Sequence, residues 1–458
     1  MSWLRRLPYT AVLVLAAPLI AAYLLWRARR QPEYRAHWAE RFGLAWPALP
    51  DAADGRRPLI WVHAVSVGET RAAEPLLAAL AGAWPGHAIL LTHMTPTGRA
   101  TPVPVPGVAR AYLPYDYPWA VRRFLRHYRP VLGVLLETEI WPNLVAGARA
   151  AGVPLALVNA RLSERSLAKA RRWGGLARDA VAGLDLVLAQ TGADALRLAA
   201  LGAKAAPGAP GVPGVPGLPG VPAVPVTGNL KFDAAVRPEL AERGAWLRSL
   251  AGGRPVLLCA STREGEESLV LDAWARARAS LAQHPLLVIV PRHPQRFDEV
   301  AGLIAARGLA LERRSRLAPG SALPADCAVL LGDSMGEMQA WYRAADLAWI
   351  GGSLAPLGGQ NLIEACLVGC PVLLGPHTFN FAQASDDAVA AGAALRIADA
   401  DALFAQAARL LADRPALAAM GAAGERFARQ HSGATARTMA HLAGLLAGEP
   451  GRTDASGS

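Results

Sequence analysis

Several sequence patterns that define common enzyme classes are absent from this chain of 458 residues. It has no phosphate-binding loop of the form GxxxxGK(S/T) and no convincing GxGxxG between a strand and a helix, which argues against nucleotide hydrolysis and nicotinamide chemistry. It also lacks basic runs interleaved with aromatic residues, so we expect no nucleic-acid partner. The chain is therefore not expected to be a nucleotide hydrolase, a dehydrogenase or a nucleic-acid-binding protein.

Metal ligands are also sparse in the sequence. The four cysteines lie far apart or within apolar patterns, without a CxxC pair, so we interpret them as buried thiols rather than disulfides or a zinc site. A nucleotide bound through a divalent ion needs clustered carboxylates at a strand end. The only D-x-D pair is Asp399 with Asp401, where either residue more readily caps the following helix. We therefore expect no metal site and no cofactor. The cysteines are Cys259, Cys327, Cys366 and Cys370.

Lysine occurs only at Lys169, Lys204 and Lys231, so arginine supplies nearly all of the 47 basic side chains. Acidic side chains number 36, which leaves a formal net charge of +11. Such a charge suits a protein body that is held against an anionic membrane leaflet.

A long apolar run stands at the N-terminus, where residues 7–26 contain no charged side chain. At a helical rise of about 1.5 Å per residue this run would reach roughly 30 Å, enough to cross a bilayer. Arg27, Arg29 and Arg30 follow it without a small-residue cleavage site, which favours an uncleaved anchor over a signal peptide. The excess of basic residues after the run places the body in the cytoplasm. A helix that lies in the membrane interface is the alternative.

Short apolar runs alternate with Ala- and Leu-rich helical patterns along the rest of the chain. Continuous apolar runs are typical of parallel strands covered on both faces, and their alternation with helices predicts βαβ units. Two such series, divided near residues 231–250, predict an α/β protein with two doubly wound domains facing each other across a cleft. The predicted strands are residues 58–65, 87–93, 108–113, 131–137, 153–159, 184–190, 254–261, 285–291, 327–332, 346–351, 370–375 and 393–398.

A segment rich in glycine and proline, PGAPGVPGVPGLPGVPAVP, interrupts this pattern at residues 207–225. Its period resembles collagen, but a triple helix needs three chains and a much longer tract. Frequent prolines cannot donate ladder hydrogen bonds, so we expect an exposed insertion loop with no catalytic role. The polar tail of residues 449–458 is expected to be disordered.

Polar and glycine-rich motifs follow most of the predicted strands. In open α/β sheets the ligand binds at the carboxyl ends of the strands, so these motifs are candidate site segments. Capping of the following helix is the simpler interpretation of each, although a helix N-terminus can also offer N–H groups to a phosphate. Arg292, directly after a strand, could hold a phosphate with two parallel hydrogen bonds. Three pairs have capping spacing: Ser66 with Glu69, Ser334 with Glu337, and Asn361 with Glu364.

The motifs, taken in order, resemble those of bacterial 3-deoxy-D-manno-octulosonic acid (Kdo) transferases, the lipid A Kdo transferase family. The resemblance extends from the anchor to about residue 435 and implies a GT-B glycosyltransferase fold. It also implies an inner-membrane enzyme that transfers Kdo from CMP-Kdo to the lipid A precursor, lipid IVA, in lipopolysaccharide assembly. The motifs are YRAHWAERFG, HAVSVGE, TPTG, YLPYD, ETEIWPNL, NARLSERS, TGNLKFD, STREGEE, PRHPQRF, GDSMGEM and GPHTFNF.

The resemblance also implies roles for individual residues. The family's general base falls on Glu69, and its two transition-state stabilisers fall on Glu137 and Lys231. A helix N-terminus is expected to keep Glu69 ionised, and a single displacement with one base implies an inverting reaction. The family's CMP contacts fall on Pro291, Arg292, Met335, Gly336, Glu337, Asn361, Leu362, Ile363 and Glu364. The chain has NLIE where NPLE is common, but this retains Asn361 and Glu364.

The predicted organisation has four parts: an anchor over residues 1–30, an acceptor-binding domain over 31–230, a CMP-Kdo-binding domain over 231–448, and the tail. Two alternatives remain at this stage. Another GT-B nucleotide-sugar enzyme, such as an epimerase or a transferase for a different acceptor, would share the architecture. A membrane adaptor could use the Gly/Pro segment to bind partners.

Overall fold

The computed structural model describes residues 3–29, 31–49, 57–205, 224–235 and 237–447. The expected insertion loop lies almost entirely, and the C-terminal tail entirely, outside these residues. The chain divides into two compact units, one comprising Met1–Ala234 and Gly433–Ser458, the other Ala235–Ser432.

The first unit contains a six-stranded parallel sheet in the order β3-β2-β1-β4-β5-β6. Its strand order reverses between β1 and β4, where doubly wound sheets bind their ligands. The strands are β1 (Leu59–His63), β2 (Ala88–His93), β3 (Ala109–Tyr112), β4 (Leu132–Leu136), β5 (Leu155–Ala160) and β6 (Leu186–Ala189). The helices are α1 (Trp3–Ala28), α2 (Trp38–Arg41), α3 (Val67–Ala83), α4 (Pro96–Ala100), α5 (Pro118–Tyr128), α6 (Pro142–Ala150), α7 (Glu164–Arg172), α8 (Gly175–Ala182), α9 (Gly192–Ala200) and α18 (Ala434–Ala447).

Both faces of this sheet are buried, which explains the continuous apolar runs. Trp61 and Leu135 enter the core on one face, while their neighbours Val62 and Val134 enter the core on the other. Gly133 of β4 lies where there is no room for a side chain. A Cβ at this position would lie 2.4 Å from a methyl carbon of Leu155. Close packing around the central strands therefore holds their carboxyl ends in place.

The second unit contains a seven-stranded parallel sheet in the order β13-β12-β11-β7-β8-β10-β9. Its strands are β7 (Val256–Thr262), β8 (Leu286–Pro291), β9 (Leu311–Arg313), β10 (Val329–Leu331), β11 (Leu347–Ile350), β12 (Val372–Leu374) and β13 (Ala394–Arg396). Its helices are α10 (Pro238–Leu250), α11 (Glu266–Ala277), α12 (Phe297–Ala305), α13 (Met338–Ala344), α14 (Ile363–Leu367), α15 (Ala382–Ala390), α16 (Ala400–Ala412) and α17 (Arg414–His431).

The prediction of two parallel α/β sheets is confirmed, and all twelve predicted strands are present. The thirteenth, β9, was not predicted. Its sequence Leu-Glu-Arg offers no apolar run, because it is a partly exposed strand at the edge of the sheet.

The boundary between the units differs from the predicted one. The chain leaves the first unit after Ala234 and returns to it at Gly433, so helix α18 belongs to the first unit rather than to the predicted second domain. Leu442 of α18 lies in the core beneath the first sheet. The carboxylate of Asp233 accepts hydrogen bonds from the backbone N–H groups of Gly433 and Thr435, at 2.6 and 2.5 Å, and so holds the start of α18.

Candidate functional site

Glu69 lies in the first turn of α3, directly after β1. Ser66 is the N-cap, and its hydroxyl oxygen accepts a hydrogen bond from the Glu69 N–H at 3.4 Å. In return, the Glu69 carboxylate accepts hydrogen bonds from the Val65 N–H at 2.7 Å and the Ser66 hydroxyl at 3.3 Å. The capping prediction is therefore confirmed, with the return backbone bond shifted one residue ahead of the usual capping box.

The pKa of Glu69 contradicts the expectation of a carboxylate ionised well below neutral pH. Burial raises the pKa of Glu69 to about 8, and the negative charge of Glu137 adds to the effect. The hydrogen bond from Val65 and the charge of Lys231 act in the opposite direction but do not offset it. Desolvation thus outweighs the helix N-terminus. A carboxylate with this pKa is a stronger base than an ordinary glutamate.

Glu137 follows β4 and forms two ion pairs. Its carboxylate lies 3.0 Å from Nζ of Lys231 and 2.9 Å from Nε of Arg161. Burial opposes its ionisation, but the two cations lower the pKa of Glu137 below its ordinary value. We call Glu137, Lys231 and Arg161 the ion trio. One carboxylate against two cations leaves the trio with a formal charge of +1.

The backbone of Glu137 is in the left-handed region, with φ of +57°. Such a conformation costs a non-glycine residue of order 1 kcal/mol or more and persists only where surrounding contacts enforce it. Asn159, at the end of the neighbouring strand β5, shares it with φ of +52°. Strain at two adjacent strand ends indicates that the position of these side chains matters.

Lys231 lies in a 3₁₀ turn, Leu230–Asp233, which hydrogen bonds join to β5 and to the start of α18. Asn229 Oδ1 accepts a hydrogen bond from the Lys231 N–H, and Asn159 Oδ1 accepts one from the Leu230 N–H, each at 3.0 Å. Asp233, at the other end of the turn, holds the start of α18. The structure therefore places Lys231 in the first unit, whereas the predicted boundary placed it in the second domain.

The structure brings the three predicted catalytic residues together, because the charges of both Glu137 and Lys231 shift the pKa of Glu69. Three further side chains belong to this group, Glu139, Arg161 and Asn159. Glu139 accepts a hydrogen bond from the Trp141 indole N–H at 2.8 Å, and burial raises the pKa of Glu139. Arg161 and Asn159 were not assigned roles from the sequence, although both lie in the quoted NARLSERS motif.

In the second unit, the predicted nucleotide contacts follow three of the four consecutive strands β11-β7-β8-β10. Pro291 ends β8, the Met335–Gly336–Glu337 segment follows β10, and the loop to Asn361 follows β11. Strand β7 lies between β11 and β8 and is followed by Arg263. The carboxyl ends of parallel strands share one edge of the sheet, so these segments meet there.

Arg292 and Arg263 form the most distinctive feature of this edge. Across the described parts of the chain, neither guanidinium has a hydrogen bond or an ion pair, whereas nearby Arg296 pairs with Glu267 at 2.6 Å. Burial lowers the pKa of Arg292, and the positive charge of Arg263 lowers it further. The charge of Glu364 acts in the opposite direction, and the two guanidinium groups make this edge a candidate anion site. Arg263 was missed from the sequence because its motif, STREGEE, carries no spacing rule that singles it out.

Glu266 orders the loop beside Arg263. Its fully buried carboxylate accepts hydrogen bonds from four backbone N–H groups. A Cβ on Gly351 of that loop would lie 2.5 Å from the carbonyl oxygen of Ser261, so only glycine fits. The glycine-rich loop is therefore packed tightly against β7. The four donors are Arg263 at 3.0 Å, Gly352 at 2.6 Å, Leu354 at 3.0 Å and Ala355 at 3.2 Å.

Glu337 has its carboxylate occupied by other side chains. It accepts hydrogen bonds from Arg243, from the Ser334 hydroxyl, and from Arg314 at 2.8 Å. Although burial opposes ionisation, these contacts lower the pKa of Glu337. The predicted capping box of Ser334 is wrong, because Glu337 itself is the N-cap residue of α13 and its side chain does not cap. Met335 is exposed and Gly336 has φ of +81°, so this turn presents its backbone.

Asn361 and Glu364 form a second polar pair near Arg292. Asn361 Nδ2 donates to Glu364 Oε1 at 2.9 Å, and Asn361 Oδ1 accepts from the Ile363 N–H at 3.1 Å. The N-cap of α14 is Leu362 rather than the predicted Asn361. The side chains of Leu362 and Ile363 are fully buried and support the turn from below. The charge of Glu364 acts on Arg292, which places the pair beside the anion site.

No group of three or more potential metal ligands of the His, Cys, Asp and Glu types occurs within residues 3–29, 31–49, 57–205, 224–235 and 237–447. The four cysteines are free and buried. Asp399 caps α16 by accepting a hydrogen bond from the Ala402 N–H at 2.8 Å, as predicted.

Comparison with known proteins identifies similar sequences over nearly the whole chain. A family described as 3-deoxy-D-manno-octulosonic-acid transferase (kdotransferase) matches residues 36–208. A 3-deoxy-D-manno-octulosonic acid transferase from Bordetella pertussis is 48% identical over 442 residues, covering 94% of this chain and 97% of the relative. One from Haemophilus influenzae is 36% identical over 387 residues, covering 82% and 84%.

Among solved structures, the UDP-GlcNAc 2-epimerase from Neisseria meningitidis bound to UDP-GlcNAc matches with a TM-score of 0.55. It covers 84% of this chain and 100% of that chain, at 13% sequence identity. At this identity the similarity concerns the fold alone.

The raised pKa of Glu69 predicts a characteristic dependence of stability on pH. Between the ordinary glutamate pKa of about 4.3 and about 8, the folded chain keeps a proton that the unfolded chain releases, so stability falls as the pH rises through this window. Glu69→Gln removes this decline. We expect the melting temperature of Glu69→Gln to equal that of the parent near pH 5 and to be higher than that of the parent near pH 9.

Ser66→Ala is the matched control, because it removes the cap without removing a titrating group. Its loss of stability should be about 1 kcal/mol, and the decline between pH 5 and pH 9 should remain, because Glu69 still titrates. A pH-independent difference between Glu69→Gln and the parent would contradict the raised pKa.

Proposed function

The chain belongs to the 3-deoxy-D-manno-octulosonic acid transferase family, and on that basis we propose that it transfers Kdo from CMP-Kdo to the lipid A precursor, lipid IVA. Membership supports Kdo transfer in lipopolysaccharide synthesis; the donor, the acceptor and the inverting course are our proposals. The observation that carries them is the basic carboxylate of Glu69 beside the positively charged ion trio. The epimerase alternative rests on fold similarity alone.

Glu69 is proposed as the general base. The acceptor hydroxyl loses a proton as its oxygen attacks the anomeric carbon of Kdo, and the bond to the CMP phosphate breaks. A carboxylate in hydrogen-bond reach of that hydroxyl contributes roughly 10²- to 10⁴-fold to the rate. The pKa of about 8 makes Glu69 a better proton acceptor at the cost of a smaller ionised fraction at neutral pH. One displacement assisted by one base inverts the anomeric configuration.

The ion trio is proposed to stabilise negative charge at the reacting centre. Lys231 and Arg161 share one carboxylate, so the site keeps an excess positive charge that is already oriented before the reaction. Kdo carries a carboxylate, and the departing phosphate gains charge, so either group matches this excess. Glu137 is then a positioning residue that holds both cations, because its two oxygens are already occupied.

The second unit is proposed to bind CMP. Arg292 and Arg263, which lack counter-ions among the described residues, would hold the phosphate. Asn361 and Glu364 offer hydrogen-bonding groups to the ribose or base, and the exposed turn at Met335 and Gly336 offers backbone groups. Pro291, Leu362 and Ile363 shape these turns from buried positions, and Glu337 orients its turn through Arg243 and Arg314.

The location proposed for the enzyme is the inner membrane, with the body on its cytoplasmic face. Helix α1 is the one helix of the described residues that is long and apolar enough to cross a membrane. The net charge of +11 favours contact with the anionic cytoplasmic leaflet.

Glu69→Gln and Ser66→Ala separate the base from the cap. We expect Glu69→Gln to fold, to bind CMP-Kdo and to lose at least about 100-fold in turnover, because it keeps the hydrogen-bond acceptor but cannot take a proton. Ser66→Ala should lose some stability and keep most of its turnover. Product formation from CMP-Kdo and lipid IVA, followed by mass spectrometry, measures both. Near-normal turnover by Glu69→Gln would exclude the base assignment.

Arg292→Met and Arg263→Met test the anion site. Each should weaken CMP binding by about 10-fold or more, since a charge-assisted hydrogen bond contributes about 1.5–3 kcal/mol. Calorimetric titration of the full chain with CMP measures the affinity. The control is Arg276→Met, which removes an exposed arginine paired with Asp401 and should not change CMP binding. Unchanged affinity in both test variants would contradict the assignment.

Transfer without a divalent ion follows from the same anion site, because two guanidinium groups supply the charge that a metal would otherwise provide. We therefore expect the rate of transfer to be unchanged by EDTA. Saturating EDTA with Mg²⁺ before its addition is the control for non-specific effects. A strict requirement for added Mg²⁺ would show that this proposal is wrong.

A further inference from the structure

Helix α1 contacts the first unit along one face from end to end. The residues that are buried or half-buried recur every three or four positions, which is the spacing of a single helix face. We call this the docked face. Its residues are Arg6, Tyr9, Thr10, Leu13, Ala16, Ala17, Ile20, Ala21, Leu24, Arg27 and Ala28.

Polar contacts join the first half of α1 to the body of the unit. Arg5 pairs with Asp179 of α8 at 3.1 Å, and the Thr10 hydroxyl oxygen accepts a hydrogen bond from Asn143 Nδ2 of α6 at 3.0 Å. The Tyr117 hydroxyl donates to the Leu13 carbonyl oxygen at 3.2 Å. These bonds specify one orientation of the helix, which apolar packing alone would not do.

The second half of α1 is held by packing. Leu24 and Ala28 are buried against Tyr34, and the guanidinium of Arg27 lies 4.8 Å from the centre of the Tyr34 ring. From Arg5 to Ala28 the docked helix extends over about 35 Å.

The opposite face of α1 is apolar and exposed. Leu15 and Leu19, near its middle, are 76% and 71% exposed. We call this the outer face, and among the described residues nothing covers it. Its large members are Leu4, Leu7, Val12, Leu15, Leu19 and Trp26.

A docked α1 is incompatible with a helix that crosses the bilayer. Crossing while docked would carry Asp179 and Asn143 into the hydrocarbon, where polar groups without water are strongly disfavoured. Crossing after release would break the bonds to Asn143, Asp179 and Tyr117. We propose that α1 stays docked and lies in the plane of the membrane, with the outer face in the lipids of the cytoplasmic leaflet.

The surroundings of α1 fit a lipid surface. Two exposed tryptophans flank the helix on the body: Trp173 contacts the Tyr9 ring edge-on at 6.4 Å, and Trp119 stacks on Tyr117 at 4.8 Å. Tryptophan favours the boundary between lipid and water. Arg29, exposed at the end of the helix, complements anionic headgroups.

A docked α1 in the plane of the membrane would also fix the distance between the membrane surface and the candidate site of the first unit. Asn143, which bonds to Thr10, is the second residue of α6, and α6 directly follows the segment with Glu137 and Glu139. Asn143 is fixed in turn by Asp116, which accepts a hydrogen bond from its backbone N–H at 2.9 Å. A lipid-linked acceptor in the same leaflet would reach the site without leaving the membrane. That last step rests on the proposed function, whereas the orientation of α1 does not.

Cysteine labelling of the full chain distinguishes the two orientations. The native cysteines are buried, so Ser2→Cys provides a single reactive thiol ahead of α1, which begins at Trp3. With α1 in the plane, a membrane-impermeant maleimide labels this thiol in inverted inner-membrane vesicles and not in spheroplasts. Glu239→Cys, on exposed α10, is the control for the side of the body. Labelling of Ser2→Cys in spheroplasts would overturn the proposal.

Depth measurements give an independent result. Fluorophores on Leu4→Cys, Leu15→Cys and Leu19→Cys, in vesicles with phosphatidylglycerol, should be quenched to the same depth. A crossing helix would separate the first two by about 16 Å in depth. Graded depths, or a dimer that protects the outer face without quenching by lipid, would overturn the proposal. Neither readout requires transfer, so an inactive protein with a flat α1 would contradict the proposed function alone.

Discussion

The ion pairs of Glu137 determine much of the first unit's chemistry. One buried carboxylate joins the end of β4 to Arg161 after β5 and to Lys231 in the turn that precedes Asp233. Loss of this carboxylate would leave two neighbouring cations without their shared counter-ion, which is destabilising, whereas loss of one cation would leave a balanced pair. The same carboxylate raises the pKa of Glu69, while Lys231 lowers it. The pKa of Glu69 and the positions of Lys231 and Arg161 therefore all depend on Glu137.

The arrangement of charges in the second unit also follows from how its buried acids are paired. Its buried acids are already engaged: Glu266 by backbone N–H groups, Glu267 by Arg296 and Glu337 by Arg243 and Arg314. Within the described part of the chain this leaves Arg263 and Arg292 without counter-ions at the sheet edge. This supports the proposal that the edge binds a ligand anion.

Capping and the proposed catalytic role are compatible at Glu69. The hydrogen bonds from Val65 and Ser66 hold its carboxylate at the carboxyl end of β1. Packing around that turn removes water and raises the pKa. A cap on an exposed helix would have kept an ordinary pKa, so burial distinguishes this residue from a simple cap.

The sequence by itself determined the class of fold, because apolar runs between helical segments encode parallel strands buried on both faces. It also determined the family, through motifs whose order no single element explains. Tertiary structure decided the rest. The partner of α18, the ionisation of Glu69 and the position of Arg263 near Arg292 depend on segments far apart in the chain. The apolar pattern of a helix shows that one face is buried, but it does not show which surface that face packs against. A local sequence pattern can predict a helix N-terminus, but it cannot predict how far a side chain there is removed from water. Only the folded chain shows which charges remain without a counter-ion.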